Sequence, residues 1–199
     1  MEHWVDQVVD SFDREDQTVV IMMDHVDAVE EEIVEGMEHS DEGHGHVHVH
    51  EDGEEDGHLE EDESQYEIEY DEHIWTSPKN AILMAEAIGK AIQAADRGSA
   101  EYYQTHTEEY TEKLRALDSE LTKTVKEAKR ELLIFADRFP FLYLARDYGL
   151  EYYAAYPGCS SEAEPSAATV AAIIEEVKQS GVPAIFYIEL SNRLMADTI

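Results

Sequence analysis

The sequence predicts an α/β protein: two lobes of parallel sheet flanked by helices, joined by a long spine helix, and incomplete at both ends. Three observations carry that prediction. After Glu131, short apolar runs alternate with helical patterns, the order that builds a parallel sheet covered by helices. From Tyr103 to Ala128, the residues Tyr103, His106, Tyr110, Leu114, Leu117, Leu121, Val125 and Ala128 step by three or four without a fault, which is the period of one long amphipathic helix. Near the start, a β-branched run lies between two segments with helical spacing.

Taken in order, residues 5–9 and 26–34 carry the helical spacing, with Val26, Val29, Ile33 and Met37 on one face and Glu30, Glu31, Glu32 and Glu35 mainly opposite. Residues 18–23 between them, Thr-Val-Val-Ile-Met-Met, predict a buried strand. Residues 38–70 hold almost nothing to bury and predict a weakly ordered loop, ending in the alternation of residues 66–70, an extended arm. Ser77 is placed to cap a helix that Pro78 opens, with Ala81, Ala85, Ile88, Ile92 and Ala95 as its buried face and Gly98 as its stop. Ser99 begins the spine. Then follow a strand at 132–135, a helix at 141–148 closed by Gly149, and a strand at 150–156. A helix at 166–179 ending on Ser180-Gly181, a third strand at 182–188 and a helix from Asn192 complete the order. The expected domains are a partial N-terminal lobe at 1–98, an inter-lobe spine at 99–130 and a partial C-terminal lobe at 131–199. The first lobe lacks a front half, and no strand follows the last helix.

Charge narrows the function. The 199 residues hold 47 Asp and Glu against 14 Lys and Arg, a net charge of -33. Residues 1–78 carry 28 of the acids and a single base, Arg14, while the remainder is nearly balanced. Such a chain cannot displace phosphate counterions, which excludes a nucleic-acid binder, and it suits an anionic membrane surface poorly. It invites cations. No apolar run approaches the roughly 20 residues of a membrane helix, and Glu2-His3-Trp4 after Met1 does not begin a signal sequence. Cys159 is the only cysteine, which excludes an intrachain disulfide and a multi-cysteine zinc knuckle. The chain has no His-Glu-x-x-His, no phosphate-cradling glycine loop and no nucleophile elbow, so an enzyme is not expected.

Seven of the ten histidines fall within residues 38–73, among 16 acids and no base. His44, His46, His48 and His50 alternate, so an extended chain turns all four to one side. His39 and His58 flank them. Zinc accepts imidazole nitrogen and carboxylate oxygen in a tetrahedron, and the imidazole excess favours zinc, copper or nickel over calcium, magnesium or manganese. A mobile chain wrapped around an ion binds modestly and exchanges fast, as a store, a sensor or a delivery arm. The plain alternative is a solvated acidic linker.

Residues 71–81, Asp-Glu-His-Ile-Trp-Thr-Ser-Pro-Lys-Asn-Ala, are of another kind. His73 sits just ahead of a capped helix, where a fixed imidazole suits a tight metal ligand; the alternative is a histidine hydrogen-bonded within a turn. His106 on the apolar stripe of the spine reads as a polar residue satisfied in the core, and His25, between Asp24 and Asp27, as a helix start at the surface. Glu164 and Glu189 receive no role.

The 71–81 motif resembles the Asp-Pro-His-Ile-Trp-Leu-Ser-Pro-Lys-Asn signature of the zinc, or zinc/manganese, solute-binding proteins of ABC importers. The zinc-uptake branch often carries a histidine- and acid-rich loop ahead of that signature, as residues 38–63 do here. Residues 109–118 are similar to the family's spine helix, and residues 146–150, 162–166 and 185–189 to its second lobe. The resemblance implies a two-lobed α/β carrier, not an enzyme, with one metal in its cleft. It implies high-affinity zinc capture (Mn2+ or another transition metal as the alternative) and delivery to a membrane permease. The implied location is outside the cytoplasm, in the periplasm or lipid-anchored at a bacterial surface, in a family that includes adhesin-type lipoproteins. His73 matches the family's ligand histidine; two further family ligands, from an earlier strand and from near the C terminus, have no counterpart here. The family's second-lobe ligand, a His or Glu, aligns with Arg138, whose guanidinium stays charged and cannot ligate zinc. Asp137 and Cys159 are the nearest replacements by chemistry, although Cys159 also reads as a plain loop thiol. A different class of function remains open: a soluble histidine-rich zinc buffer or metallochaperone working through the loop alone.

Overall fold

The computed structural model describes residues 17–34, 36–37, 69–160, 165–189, 191 and 193–199, with Val5, Val8, Val9 and Ser11 as isolated positions. His39, His44, His46, His48, His50, His58 and Glu164 lie outside the described residues. The elements are α1 (Pro78–Ala95), α2 (Ala100–Glu127), β1 (Leu132–Phe139), α3 (Leu142–Tyr148), β2 (Glu151–Pro157), α4 (Ala167–Ser180) and α5 (Leu194–Thr198).

The α/β class stands. β1 and β2 pair in parallel from Leu132 opposite Glu151 to Phe139 opposite Pro157, with an irregularity between Phe135 and Arg138. Successive side chains of a strand point to opposite faces, and each face has its own core. Ile134, Ala136, Ala155 and Tyr156 pack with Ile173 of α4 and Met195 of α5. Phe135, Phe139 and Ala154 pack with Ala145 of α3 and with Met37. Phe139 stacks flat on Tyr152, ring centroids 3.7 Å apart. Left-handed glycines end two of the helices, Gly149 after α3 (φ 67°) and Gly181 after α4 (φ 61°), the conformation that glycine adopts without a Cβ clash.

The expected third strand is reduced to one bridge. Phe186 alone pairs with Phe135, its N–H donating to Ile134 O and its carbonyl accepting from Ala136 N, both at 2.8 Å. Pro183 brings no donor to a ladder, and the next available N–H, that of Ile188, goes to the Asp137 side chain at 3.1 Å.

α1 begins where Ser77 caps it. The fully buried Ser77 Oγ accepts from the N–H groups of Lys79 (3.1 Å) and Asn80 (3.4 Å) and donates to Asp147 at the end of α3. Lys79 Nζ donates to the Asp147 carbonyl at 3.0 Å, so the first turn of α1 is fastened to α3. Ser77→Ala removes a cap and one donor to Asp147, and unfolding in urea should show a loss of about 1–2 kcal/mol. α1 stops at Ala95, short of Gly98, because Asp96 accepts the Gly98 N–H through Oδ1 at 3.1 Å and closes a 3-10 turn, Arg97–Ser99.

α2 is the 28-residue helix that the periodicity predicts, but it meets α1 through small side chains. A Cβ on Gly89 would fall 2.4 Å from Thr107 Oγ1, and the buried positions of the pair include Ala87, Gly89 and Thr111. The larger residues of both stripes flank this close approach, which corrects two expectations. Ile88 and Ile92 are exposed at 43% and 41%. His106 is exposed rather than in the core, its ring against Tyr102 and its Nδ1 2.9 Å from the Tyr102 carbonyl.

The N-terminal expectations also change. Residues 18–21 form no strand; they lead into a 3-10 turn, Met22–His25, with Val19 and Ile21 each 43% exposed. Residues 26–34 are extended rather than helical. Glu30 bridges Tyr70 antiparallel, Glu31 N–H donates to Glu69 O at 2.9 Å, and Asp71 N–H donates to Val29 O at 3.0 Å. Val26, Val29, Ile33 and Val34 are stiff β-branched residues that disfavour a helix, and Glu31 and Glu35 would repel one turn apart. A partner segment at 69–71 satisfies the backbone instead. Among the described residues, β1 and β2 form the only sheet, so no sheet of a first lobe is seen.

Candidate metal centre

The predicted ligand His73 lies beside the carboxyl ends of β1 and β2, where ligands of open parallel sheets gather. Gly158, the first residue after β2, marks the junction: a Cβ there would fall 2.9 Å from Phe139 O, 3.1 Å from His73 Nδ1 and 3.2 Å from Asp71 Oδ2.

Local chemistry holds the histidine. Asp71 is 1% exposed, and its Oδ1 accepts the His73 backbone N–H at 2.7 Å, an Asx turn, and lies 3.0 Å from His73 Nδ1. The Asp71 carbonyl in turn accepts from Tyr143 Oη of α3 at 2.7 Å, and Tyr143 Oη accepts from Val29 N at 3.2 Å. Downstream, Thr76 donates to the His73 carbonyl from its N–H (3.1 Å) and its hydroxyl (2.7 Å), inside the 3-10 turn Ile74–Thr76 that feeds the Ser77 cap. His73 keeps 22% of its side chain exposed, with the Trp75 ring tilted against it at 5.4 Å.

The third group is Cys159, on the loop after β2. Its Sγ lies 3.9 Å from His73 Nδ1, and its N–H donates to Glu31 Oε1 at 2.8 Å. Asp71, His73 and Cys159 each present one ligand atom within 4.8 Å of the others. Burial, with the charges of Glu31 and Asp71 added, pushes the Cys159 thiol up to about 12. Burial also raises the Glu31 carboxyl, helped by Glu69 and Asp71. Partly buried negative groups thus crowd a sulfur and an imidazole, an arrangement that a bound cation relieves.

The other candidates fall elsewhere. Asp137 does not join the cluster; its Oδ1 accepts from Arg138 N at 2.8 Å and its Oδ2 from Ile188 N. Arg138 stands on β1 opposite Tyr156. His25 ends an exposed turn, and Glu189 is exposed. Sequence pattern assigns no role to Asp71 or Glu31. An Asp two residues ahead of a histidine is the Asx-turn spacing and was a usable signal for Asp71; nothing local marks Glu31.

The structure thus combines a parallel α/β fold with a carboxylate, an imidazole and a thiol gathered at its strand ends. The family described as ZnuA, zinc-uptake complex component A periplasmic, matches residues 1–199, and the chain belongs to it. The zinc-binding lipoprotein AdcA of Streptococcus pneumoniae is 31% identical over 201 residues, which cover 100% of this chain and 35% of that protein. The high-affinity zinc uptake system protein ZnuA of Bacillus subtilis is 34% identical over 129 residues, 65% of this chain and 40% of that one. The crystal structure of the Zn(II)-bound ZnuA-like domain of Streptococcus pneumoniae AdcA aligns with a TM-score of 0.53 at 34% identity, covering 65% of this chain and 48% of that domain. The chain thus spans little more than a third of the curated relatives' length.

Proposed function

We propose that this chain captures zinc for an ABC-type importer, as a carrier and not as an enzyme, with His73 as a fixed ligand. The observation that carries this reading is the position of His73. Its backbone N–H is held by the buried Asp71 carboxylate, and its ring stands at the carboxyl ends of a parallel sheet. The zinc-binding names of the relatives support the metal. The reading extends to a membrane permease as partner, to a location outside the cytoplasm, and to α2 as the spine between lobes. No helix among the described residues is long and apolar enough to cross a membrane. In this scheme the acidic histidine loop collects zinc and passes it to the fixed site. Protons compete with a metal ion for imidazole nitrogen at both places, so uptake weakens toward acid pH.

Deletion of residues 38–63 separates a carrier from a buffer. The shortened chain should keep one tight zinc site in equilibrium titration and lose only the weaker, fast-exchanging ions. Loss of nearly all zinc would make the chain a buffer or metallochaperone that works through the loop.

A further inference from the structure

Arg138 stands where the resemblance places a His or Glu ligand of the second lobe, and its guanidinium cannot hold a metal ion. We propose that Cys159 supplies that ligand, so that a single ion is held by Asp71 carboxylate oxygen, His73 Nδ1 and Cys159 Sγ. This rests on the reading of His73 as a metal ligand.

Geometry carries the proposal. In a tetrahedral zinc site with Zn–N of about 2.0–2.1 Å and Zn–S of about 2.3 Å, neighbouring ligand atoms lie about 3.3–3.6 Å apart. Here Nδ1 lies 3.9 Å from Sγ and 3.0 Å from Asp71 Oδ1. These two pairs are within about half an ångström of that spacing, and all three ligand atoms lie within 4.8 Å of one another, so side-chain adjustment places them around one ion. The two segments are already fixed in place: Asp71 N–H is bonded to Val29 O, and Cys159 N–H to Glu31 Oε1. On binding, the Nδ1–H bond to the proton facing Asp71 breaks and the ring takes the Nε2–H tautomer, so that the Nδ1 lone pair meets the ion; the Sγ–H bond breaks as the Sγ–metal bond forms, with that proton leaving to solvent. Thiolate and carboxylate then neutralise a divalent ion, while Glu31 keeps a further negative group beside it. The fourth position stays open to water or to another donor.

A sulfur ligand also changes what the site selects. Thiolate suits zinc and other soft or borderline ions and suits manganese poorly, so Cys159 biases this chain toward zinc within a carrier class that handles both metals.

Cobalt(II) reads sulfur ligation directly, and Cys159 is the only cysteine in the sequence, so a thiolate-to-cobalt charge-transfer band reports on this residue alone. The full-length chain should show that band on titration with Co2+, and Cys159→Ser should abolish it. In zinc competition against a chelator, Cys159→Ser should weaken the tight site by more than the roughly 10–100-fold that loss of an outer-shell partner costs, and should weaken Mn2+ binding by less than zinc binding. A wild-type chain that binds zinc through His73 but shows no band overturns the sulfur ligand and leaves the His73 reading intact. A tight zinc site indifferent to His73→Ala overturns both. Should Cys159→Ser fail to fold, the wild-type band decides by its presence or absence.

Discussion

His73→Ala eliminates the tight zinc site and spares the weaker binding of the acidic loop. Loss of an outer-shell partner of a metal ligand costs roughly 10–100-fold in affinity, and His73 is proposed as a ligand itself, so the expected loss exceeds that range. The fold should survive. The His73 side chain is 22% exposed, and the backbone N–H that Asp71 Oδ1 accepts at 2.7 Å remains in the variant. What disappears is the second contact of Asp71, from Nδ1 at 3.0 Å, beside a carboxylate that is 1% exposed. Losing one partner of a buried polar group costs about 1–3 kcal/mol, and urea unfolding of the metal-free variant should show a loss in that range. Zinc competition against a chelator of known affinity measures the first effect. A variant that competes as well as wild type removes His73 from the site.

Gly158→Ala strikes fold and site together. The new methyl would lie 2.9 Å from the Phe139 carbonyl at the end of β1, 3.1 Å from His73 Nδ1 and 3.2 Å from Asp71 Oδ2. The first contact is with backbone at the last paired position of the sheet, which cannot rotate away. Either the loop after β2 lifts, carrying Cys159 with it, or the His73–Asp71 pair is pushed aside. Overpacking of this kind costs about 1–3 kcal/mol, equivalent to a fall in Tm of about 2–4 °C per kcal/mol for a chain of this size. Zinc affinity should fall at the same time, because both responses separate the three ligand groups. Unchanged melting combined with unchanged zinc binding would show that Gly158 does not set this spacing.

The two substitutions probe features of unequal legibility. His73 is visible in the sequence because its surroundings are local: a histidine, a turn, a serine cap and a proline, all within six residues. The same locality made α1, α2, β1, β2 and the glycine stops Gly149 and Gly181 readable. Each follows from side-chain period or from a conformation that only one residue type adopts easily. The failures share one cause. Residues 26–34 show helical spacing, yet they lie extended because residues 69–71 offer backbone partners across a long stretch of sequence. Ile88, Ile92 and His106 read as core, but α1 and α2 approach through Gly89 and Thr107, and a helical period does not reveal which flank of a stripe the neighbour covers. Phe186 holds its place at the sheet edge with two backbone bonds, where an apolar run alone suggested a whole strand.

By itself, then, the sequence determined the class, the cation-seeking charge, the histidine-rich segment and the candidate His73, since composition, period and cap chemistry act over a few residues. Only the tertiary structure placed Cys159, 86 positions further along the chain, 3.9 Å from the His73 imidazole. Only the tertiary structure turned Glu31 onto the backbone of that cysteine. Such neighbours are set by which strand ends a loop crosses and by which segment completes its backbone hydrogen bonds, and neither leaves a local mark on the chain.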